Sequence, residues 1–327
     1  MIKRLVIENF KTIGALDLPC KRYNIFVGDT NTGKTNILEA LTLLSQAPYR
    51  SPEEGFDHRI LRYGHLNDLF ARKDVSVPIR VSTDGVNVVA SYKQDLLFHF
   101  EFTDMNGRMG TYKFQPAGNQ VDLPSANGLL DTIIRRYQYD PNVVFGPHWF
   151  SQLAPPDGKN LTALLMSNAD LLNEVNEIMG AREVFLNIDG ETYALTQRLD
   201  RTKHVSVQLP YASVSETLKR YVFLYAAVRT NKDAVLLLDE PEQNTFPFYT
   251  KHIAEIMARE PSNQYFIATH NQYLLQSIME KAPADDVQVI ATYRKEGATS
   301  LRVVPMEEVL ELMEYDLFLN LDRLVEP

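Results

Sequence analysis

The segment Gly28-Asp29-Thr30-Asn31-Thr32-Gly33-Lys34-Thr35 constrains this chain more than any other. It fits G-x-x-x-x-G-K-[ST] without a mismatch. It follows the β-branched run Tyr23-Asn-Ile-Phe-Val27 and precedes a stretch in which Ile37, Leu38, Leu41 and Leu44 recur at helical spacing. A strand, a glycine-bearing turn and a helix in that order form a phosphate cradle. The glycines let backbone N–H groups curl around an anion, and the helix N-terminus adds its positive end. Residues Gly28 to Asn36 are therefore the expected nucleotide contacts. Lys34 is expected to reach the β- and γ-phosphates, and the Thr35 hydroxyl to bind Mg²⁺.

A second segment answers the first. Ala234-Val-Leu-Leu-Leu-Asp239-Glu240-Pro241-Glu242 reads as a buried strand ending in carboxylates. Asp239 is expected to support the metal's coordination shell and Glu240 to polarise the attacking water. A P-loop sheet of this kind is expected to set the acidic strand beside the phosphate-loop strand. The next strand, Gln264-Tyr-Phe-Ile-Ala-Thr269, runs into His270-Asn271.

The interval between Thr35 and Asp239 reads as two different regions. Residues 78–116 carry four strand candidates separated by the turn dipeptides Asp84-Gly85 and Asn106-Gly107, the pattern of an antiparallel sheet. Residues 120–182 read as mainly helical, an inserted lobe interrupted by Pro155-Pro156-Asp157-Gly158. Residues 183–209 return to strand, with a turn at Asp189-Gly190. From about 214 onward helices and strands alternate, which predicts a parallel sheet covered by helices. The length of 327 residues suits one large domain, residues 1–327.

Composition removes several classes. Cys20 is the only cysteine, so neither an intrachain disulfide nor a cysteine-based zinc site can form. No stretch approaches the roughly 18 apolar residues of a membrane span, and the opening Met1-Ile2-Lys3-Arg4-Leu5 reads as a strand, not a signal peptide. A cytoplasmic protein with no membrane partner is expected. The net charge of -9 speaks against a surface coated with nucleic acid, although Arg135-Arg136 and residues 198–204 leave a local basic stripe open.

The long interval between phosphate loop and acidic strand resembles the ATP-binding-cassette branch of P-loop proteins, which includes RecF-type and SMC-type heads. Further segments carry a resemblance to the AAA-type ATPases classed as OLD-like and RecF-like. They are Ile7-Glu8-Asn9-Phe10-Lys11, the phosphate loop through Leu41, Pro155 to Leu161, Ser215 to Arg220, Leu238 to Glu242 and Ala268 to Asn271. The resemblance implies an α/β fold: a cassette-type head with a mixed, largely parallel core sheet, an antiparallel β subdomain and an inserted helical lobe. It implies ATP and Mg²⁺, a switch role for His270, and a homodimer or higher homo-oligomer closing head to tail on two nucleotides.

In that arrangement Ser215 completes the partner's site at the N-terminus of a helix, although the usual signature glycines are absent. Ser213 or Ser215 is the expected N-cap. Some relatives carry a TOPRIM nuclease domain. The sequence after His270 is too short for one, so an effector activity is expected from a partner protein. Asn31 falls one position later than the loop asparagine of relatives, and Asn244 replaces a histidine after the acidic strand. Both departures bear on the hydrolysis rate more than on binding.

The function expected is Mg²⁺-dependent ATP hydrolysis with ATP-gated dimerisation, serving a partner or a DNA-linked process in repair or in anti-phage or anti-plasmid defence. The alternative is a nucleotide-dependent scaffold or sensor with little turnover. A transport ATPase and a small-molecule kinase fit less well, the first for want of the signature glycines, the second because Asp239, Glu240 and His270 would go unexplained.

Overall fold

In the computed structural model, residues 1–45, 56–104, 106–121, 133–148, 150–180, 184–191, 194–202 and 205–324 are described. The chain opens with β1 (Arg4–Phe10), β2 (Ile13–Pro19), β3 (Tyr23–Val27) and α1 (Lys34–Leu43). Then come β4 (Ile79–Thr83), β5 (Asn87–Tyr92), β6 (Phe98–Thr103), β7 (Met109–Phe114) and β8 (Ile134–Tyr137). Helices α2 (Leu161–Ser167) and α3 (Ala169–Gly180) lead to β9 (Val184–Asp189), β10 (Ala194–Thr202) and β11 (Val205–Pro210). The last third alternates: α4 (Glu216–Thr230), β12 (Val235–Asp239), α5 (Pro247–Arg259), β13 (Gln264–Ala268), α6 (Gln272–Lys281), β14 (Val287–Lys295), β15 (Ala298–Val304) and α7 (Met306–Met313).

The central sheet has the order β15-β14-β3-β13-β12-β8, parallel except for β15. Its strands are apolar on both faces because both are covered. Ile25, Leu236, Leu238 and Ile267 point into the core that includes α4 and α5. Phe26, Leu237, Phe266 and Ile290 point into the core shared with α1 and the N-terminal strands. Helix α1 sits there because Ile37, Leu38 and Leu41 share a face and are fully buried, each contributing about 1.5–3 kcal/mol.

The second sheet, β2-β1-β4-β5-β6-β7, is antiparallel. Asp84-Gly85 and Asn106-Gly107 lie in its connections, as their turn chemistry requires. The region 78–116 is not separate: β4 pairs with β1, so both form one sheet with the N-terminal strands. A third sheet, β11-β10-β9, precedes α4.

Three sequence expectations need correction. Among its described residues, the stretch 120–182 is not a mainly helical lobe. Residues 122–132 lie outside the described residues, Ile134–Tyr137 form the edge strand β8 of the central sheet, and among the described residues of this stretch the first helix is α2 at Leu161. A four-residue strand is too short to show a period. The acidic strand β12 does not adjoin the phosphate-loop strand either: β13 lies between β12 and β3. The third correction is the basic pair Arg135-Arg136, which is not a surface stripe. Arg135 donates to Asn231, and Arg136 is buried and donates to the Ile60 carbonyl at 2.8 Å. Of residues 198–204, Arg198 lies over the Phe185 ring, and residues 203–204 are outside the described residues.

Candidate nucleotide site

Strand β3 delivers the phosphate loop to the carboxyl end of the central sheet, where α/β folds place their ligands. Gly28 and Gly33 hold φ of 148° and 104°, and Gly33 is the residue that opens α1. Glycine is required at both positions for a second reason. Two threonines of the β14–β15 hairpin clasp the loop. Thr292 donates to the Val27 carbonyl at 3.1 Å and shares a 2.7 Å hydroxyl contact with Thr32. Thr299 donates to the Thr32 carbonyl at 3.0 Å and meets the Thr12 hydroxyl at 2.7 Å. A Cβ on Gly28 would overlap Thr292, and one on Gly33 would overlap Thr299. Gly33→Ala should therefore lower stability by at least about 2 kcal/mol through backbone strain and overlap, read as a drop in the denaturant midpoint at unchanged m.

Lys34 is buried and donates to the carbonyls of Gly28 and Asp29, both at 2.8 Å. Burial lowers its pKa, while Glu240, Asp239 and Asp29 act the other way. Asp29 accepts from the Thr30 N–H at 2.6 Å, so its carboxylate serves its own loop. Asn31 adopts φ 60° at the loop apex. Asn36 donates to Thr12 at 2.7 Å and braces α1 against the β1–β2 turn.

Asp239 stands at the end of β12. Thr35 Oγ1 donates to its Oδ1 at 3.3 Å, closing a span of 204 residues, and the buried guanidinium of Arg136 donates to its Oδ2 at 3.2 Å. Burial raises the Asp239 pKa, and Arg136 and the Thr35 hydroxyl oppose that rise. The Thr35–Asp239 oxygen pair is the donor set that Mg²⁺ uses beside substrate phosphates: hard, few and incomplete without the substrate. Among the described residues no group of three or more His, Cys, Asp or Glu forms a self-sufficient metal site.

Glu240 follows in the left-handed region at φ 47°, held there by its N–H donating to the Ala268 carbonyl at 2.8 Å. His270 Nε2 lies 3.8 Å from Glu240 Oε1. Burial and the Lys34 charge lower the His270 pKa, with Glu240 opposing. Between Thr35 and Asp239 on one side and Gln138, Tyr139 and Arg220 on the other opens a polar cavity of about 350 Å³.

Ser215 is the N-cap of α4, accepting from the Leu218 N–H at 3.3 Å, which decides between the two serines. Glu216 is paired with Arg220 at 3.3 Å and Lys219 at 3.6 Å, and Tyr139 donates to it at 3.4 Å. Its charge is thus met within its own neighbourhood.

Tertiary structure thus brings together Lys34, Thr35, Asp239, Glu240 and His270. Sequence reading did not assign Arg136, Gln138, Thr292 or Thr299 to the site. Only the position of Arg136 and Gln138 on and just after a strand flanking β12 reveals them. On α1, the buried Glu39 accepts from Lys11 and, at 2.6 Å, from the exposed Arg62.

Comparison with known proteins agrees with this geometry. Residues 1–107 match the family described as "AAA ATPase domain", and residues 180–276 match "AAA domain, putative AbiEii toxin, Type IV TA system". The DNA replication and repair protein RecF of Leptospira interrogans is 33% identical over 122 residues, 35% of this chain and 33% of that protein. RecF of Mannheimia succiniciproducens is 41% identical over 63 residues, 19% of this chain and 17% of that protein. The chain therefore spans about a third or less of the length of these curated relatives. An SMC head solved with the C-winged helix domain of ScpA superposes with TM-score 0.53 at 13% identity, over 94% of this chain and 99% of that one. The Smc head with a coiled coil and joint derived from Pyrococcus yayanosii gives TM-score 0.53 at 9% identity, over 96% and 99%.

The fold is that of an ATP-binding-cassette-type head, and its phosphate-loop half is similar in sequence to AAA ATPase domains and to RecF. Within that class the chain is RecF-like in sequence and SMC-head-like in fold. No described helix is long and apolar enough to cross a membrane.

Proposed function

We propose that this chain binds Mg²⁺-ATP and hydrolyses it, and that ATP closes two copies into a dimer whose opening and closing drives a cytoplasmic, DNA-linked process or a separate effector protein. The observation that carries this reading is the approach of Thr35 to Asp239, with Lys34 on one side and Glu240 and His270 on the other.

Each residue has a task set by its place. The loop N–H groups and Lys34 bind the polyphosphate. Thr35 and Asp239 would hold Mg²⁺, which when bound neutralises charge on the β- and γ-phosphate oxygens. Glu240 accepts the proton of the attacking water, and His270 orients that water or the γ-phosphate. Ser215, with the α4 N-terminus, covers the γ-phosphate of the opposite copy. A DNA-linked role is supported by the RecF relatives, named for DNA replication and repair. An effector-linked role is supported by the match to a family described as a putative AbiEii toxin of a type IV TA system.

A second reading, a nucleotide-gated scaffold with little turnover, is favoured by one feature: the segment Tyr211 to Leu218 holds no glycine, and Ser215 is engaged as a helix cap. The deciding experiment is solution mass by light scattering with and without Mg²⁺-ATP, with phosphate release followed in parallel. A monomer that becomes a dimer while releasing phosphate supports the ATPase. Association without phosphate release transfers the assignment to the scaffold. Neither association nor release removes both.

A further inference from the structure

The carboxylate after Glu240 has no role in the scheme above, yet it is placed with unusual care. Glu242 is half-buried as a residue, with its carboxylate turned inward. Its Oε1 accepts from the Thr269 hydroxyl at 2.6 Å and from the His270 N–H at 3.2 Å. Its Oε2 is buried with no hydrogen-bond partner among the described residues. Burying a carboxylate costs free energy, and an apolar side chain of similar volume would fill the space at lower cost. What the carboxylate does through Oε1 must offset that.

The bonds around it show what is held. The Thr269 N–H donates to the Phe26 carbonyl at 3.2 Å, on the phosphate-loop strand β3. The Thr269 hydroxyl also accepts from the Asn271 N–H at 3.0 Å, and Asn271 in turn caps α6 by accepting from the Leu274 N–H at 3.0 Å. On the other side of the same loop, Thr217 in the first turn of α4 donates to the Asn244 carbonyl at 2.8 Å. Residues 240–244 are thus tied at Glu242 to the loop carrying His270 and at Asn244 to the start of α4.

We propose that Glu242 is a positioning residue: its Oε1 locks the Thr269–His270 backbone onto the acidic loop, so that His270 faces Glu240, and it links that histidine to the N-terminus of α4. This rests on the ATPase reading for its kinetic consequence but not for its geometry.

Three variants test it. Glu242→Gln keeps an acceptor oxygen at Oε1 and removes a buried charge, so it should retain turnover within about threefold and melt at or above the wild-type temperature. Glu242→Ala should lower kcat by roughly 10-fold to 100-fold, because the reacting geometry loosens, while the Kd of a fluorescent ATP analogue changes little. Thr269→Val removes the donor from the other side and should reproduce the loss, which keeps the test valid if Glu242→Ala fails to fold.

The readout independent of turnover is the His270 imidazole NMR signal, assigned by its loss in His270→Asn. It should move in Glu242→Ala and Thr269→Val and stay in place in Glu242→Gln. An unmoved His270 signal in Glu242→Ala and Thr269→Val overturns the proposal, as does a Glu242→Gln variant as slow as Glu242→Ala. If the wild-type protein binds ATP without releasing phosphate, the hydrolysis reading fails and the His270 signal alone decides this one.

Discussion

Lys34→Ala should weaken binding of Mg²⁺-ATP at least about 100-fold, close to 3 kcal/mol, with the fold intact. The ammonium is fixed at the loop by the Gly28 and Asp29 carbonyls, 2.8 Å from each, in a site where burial strengthens its interaction with polyphosphate. No other lysine is placed at this loop among the described residues. The stability cost should be about 1–3 kcal/mol, because the bond lost to the Gly28 carbonyl is buried while the Asp29 carbonyl lies in an exposed part of the loop. Binding would be followed with a fluorescent ATP analogue and stability by thermal melting. Full affinity in this variant would remove the phosphate-binding role of the loop. A collapse of the melting transition would instead assign Lys34 to the fold.

Glu240→Gln should have the second large effect, of opposite kind: binding kept, turnover lowered by at least about 100-fold, and ATP retained. Glutamine matches glutamate in size and tolerates φ near 47° no worse, so the backbone bond from residue 240 to the Ala268 carbonyl survives. What is lost is the proton acceptor 3.8 Å from His270. If closure of the dimer needs bound ATP, the variant should accumulate as the dimer, visible in its solution mass. Hydrolysis at the wild-type rate in Glu240→Gln would exclude Glu240 as the base. The two variants separate the steps: the lysine acts on affinity, the glutamate on the chemical step.

These residues were legible because each belongs to a short segment whose own physics is diagnostic. The phosphate loop announces itself by two glycines at fixed spacing between a strand and a helix. The acidic strand does so by five apolar residues ending in carboxylates, and Asp84-Gly85 and Asn106-Gly107 by turn chemistry. Arg136 illustrates the opposite case. Beside Arg135 it reads as half of a basic surface pair, yet 103 residues later the chain supplies the aspartate it binds. Nothing within a helical turn or a strand's length of Arg136 encodes that meeting. The clasp of Thr292 and Thr299 on Thr32 of the phosphate loop, 260 and 267 residues away, is hidden for the same reason.

Most of the elements, and the candidate site residues at their ends, were readable in one dimension: a glycine-bearing loop between strand and helix, Asp239 and Glu240 at the end of an apolar strand, and His270 one strand further on. Local periodicity and turn propensity act over a few residues and can be read in one dimension. The order of the strands, with β13 between β3 and β12 and β8 at the edge beyond, is set by long-range packing, and with it which side chains face one another. Strand order follows from burying both faces of the central sheet under α1 and the N-terminal strands on one side and α4 and α5 on the other. That demand belongs to the whole chain and leaves no mark on any single segment.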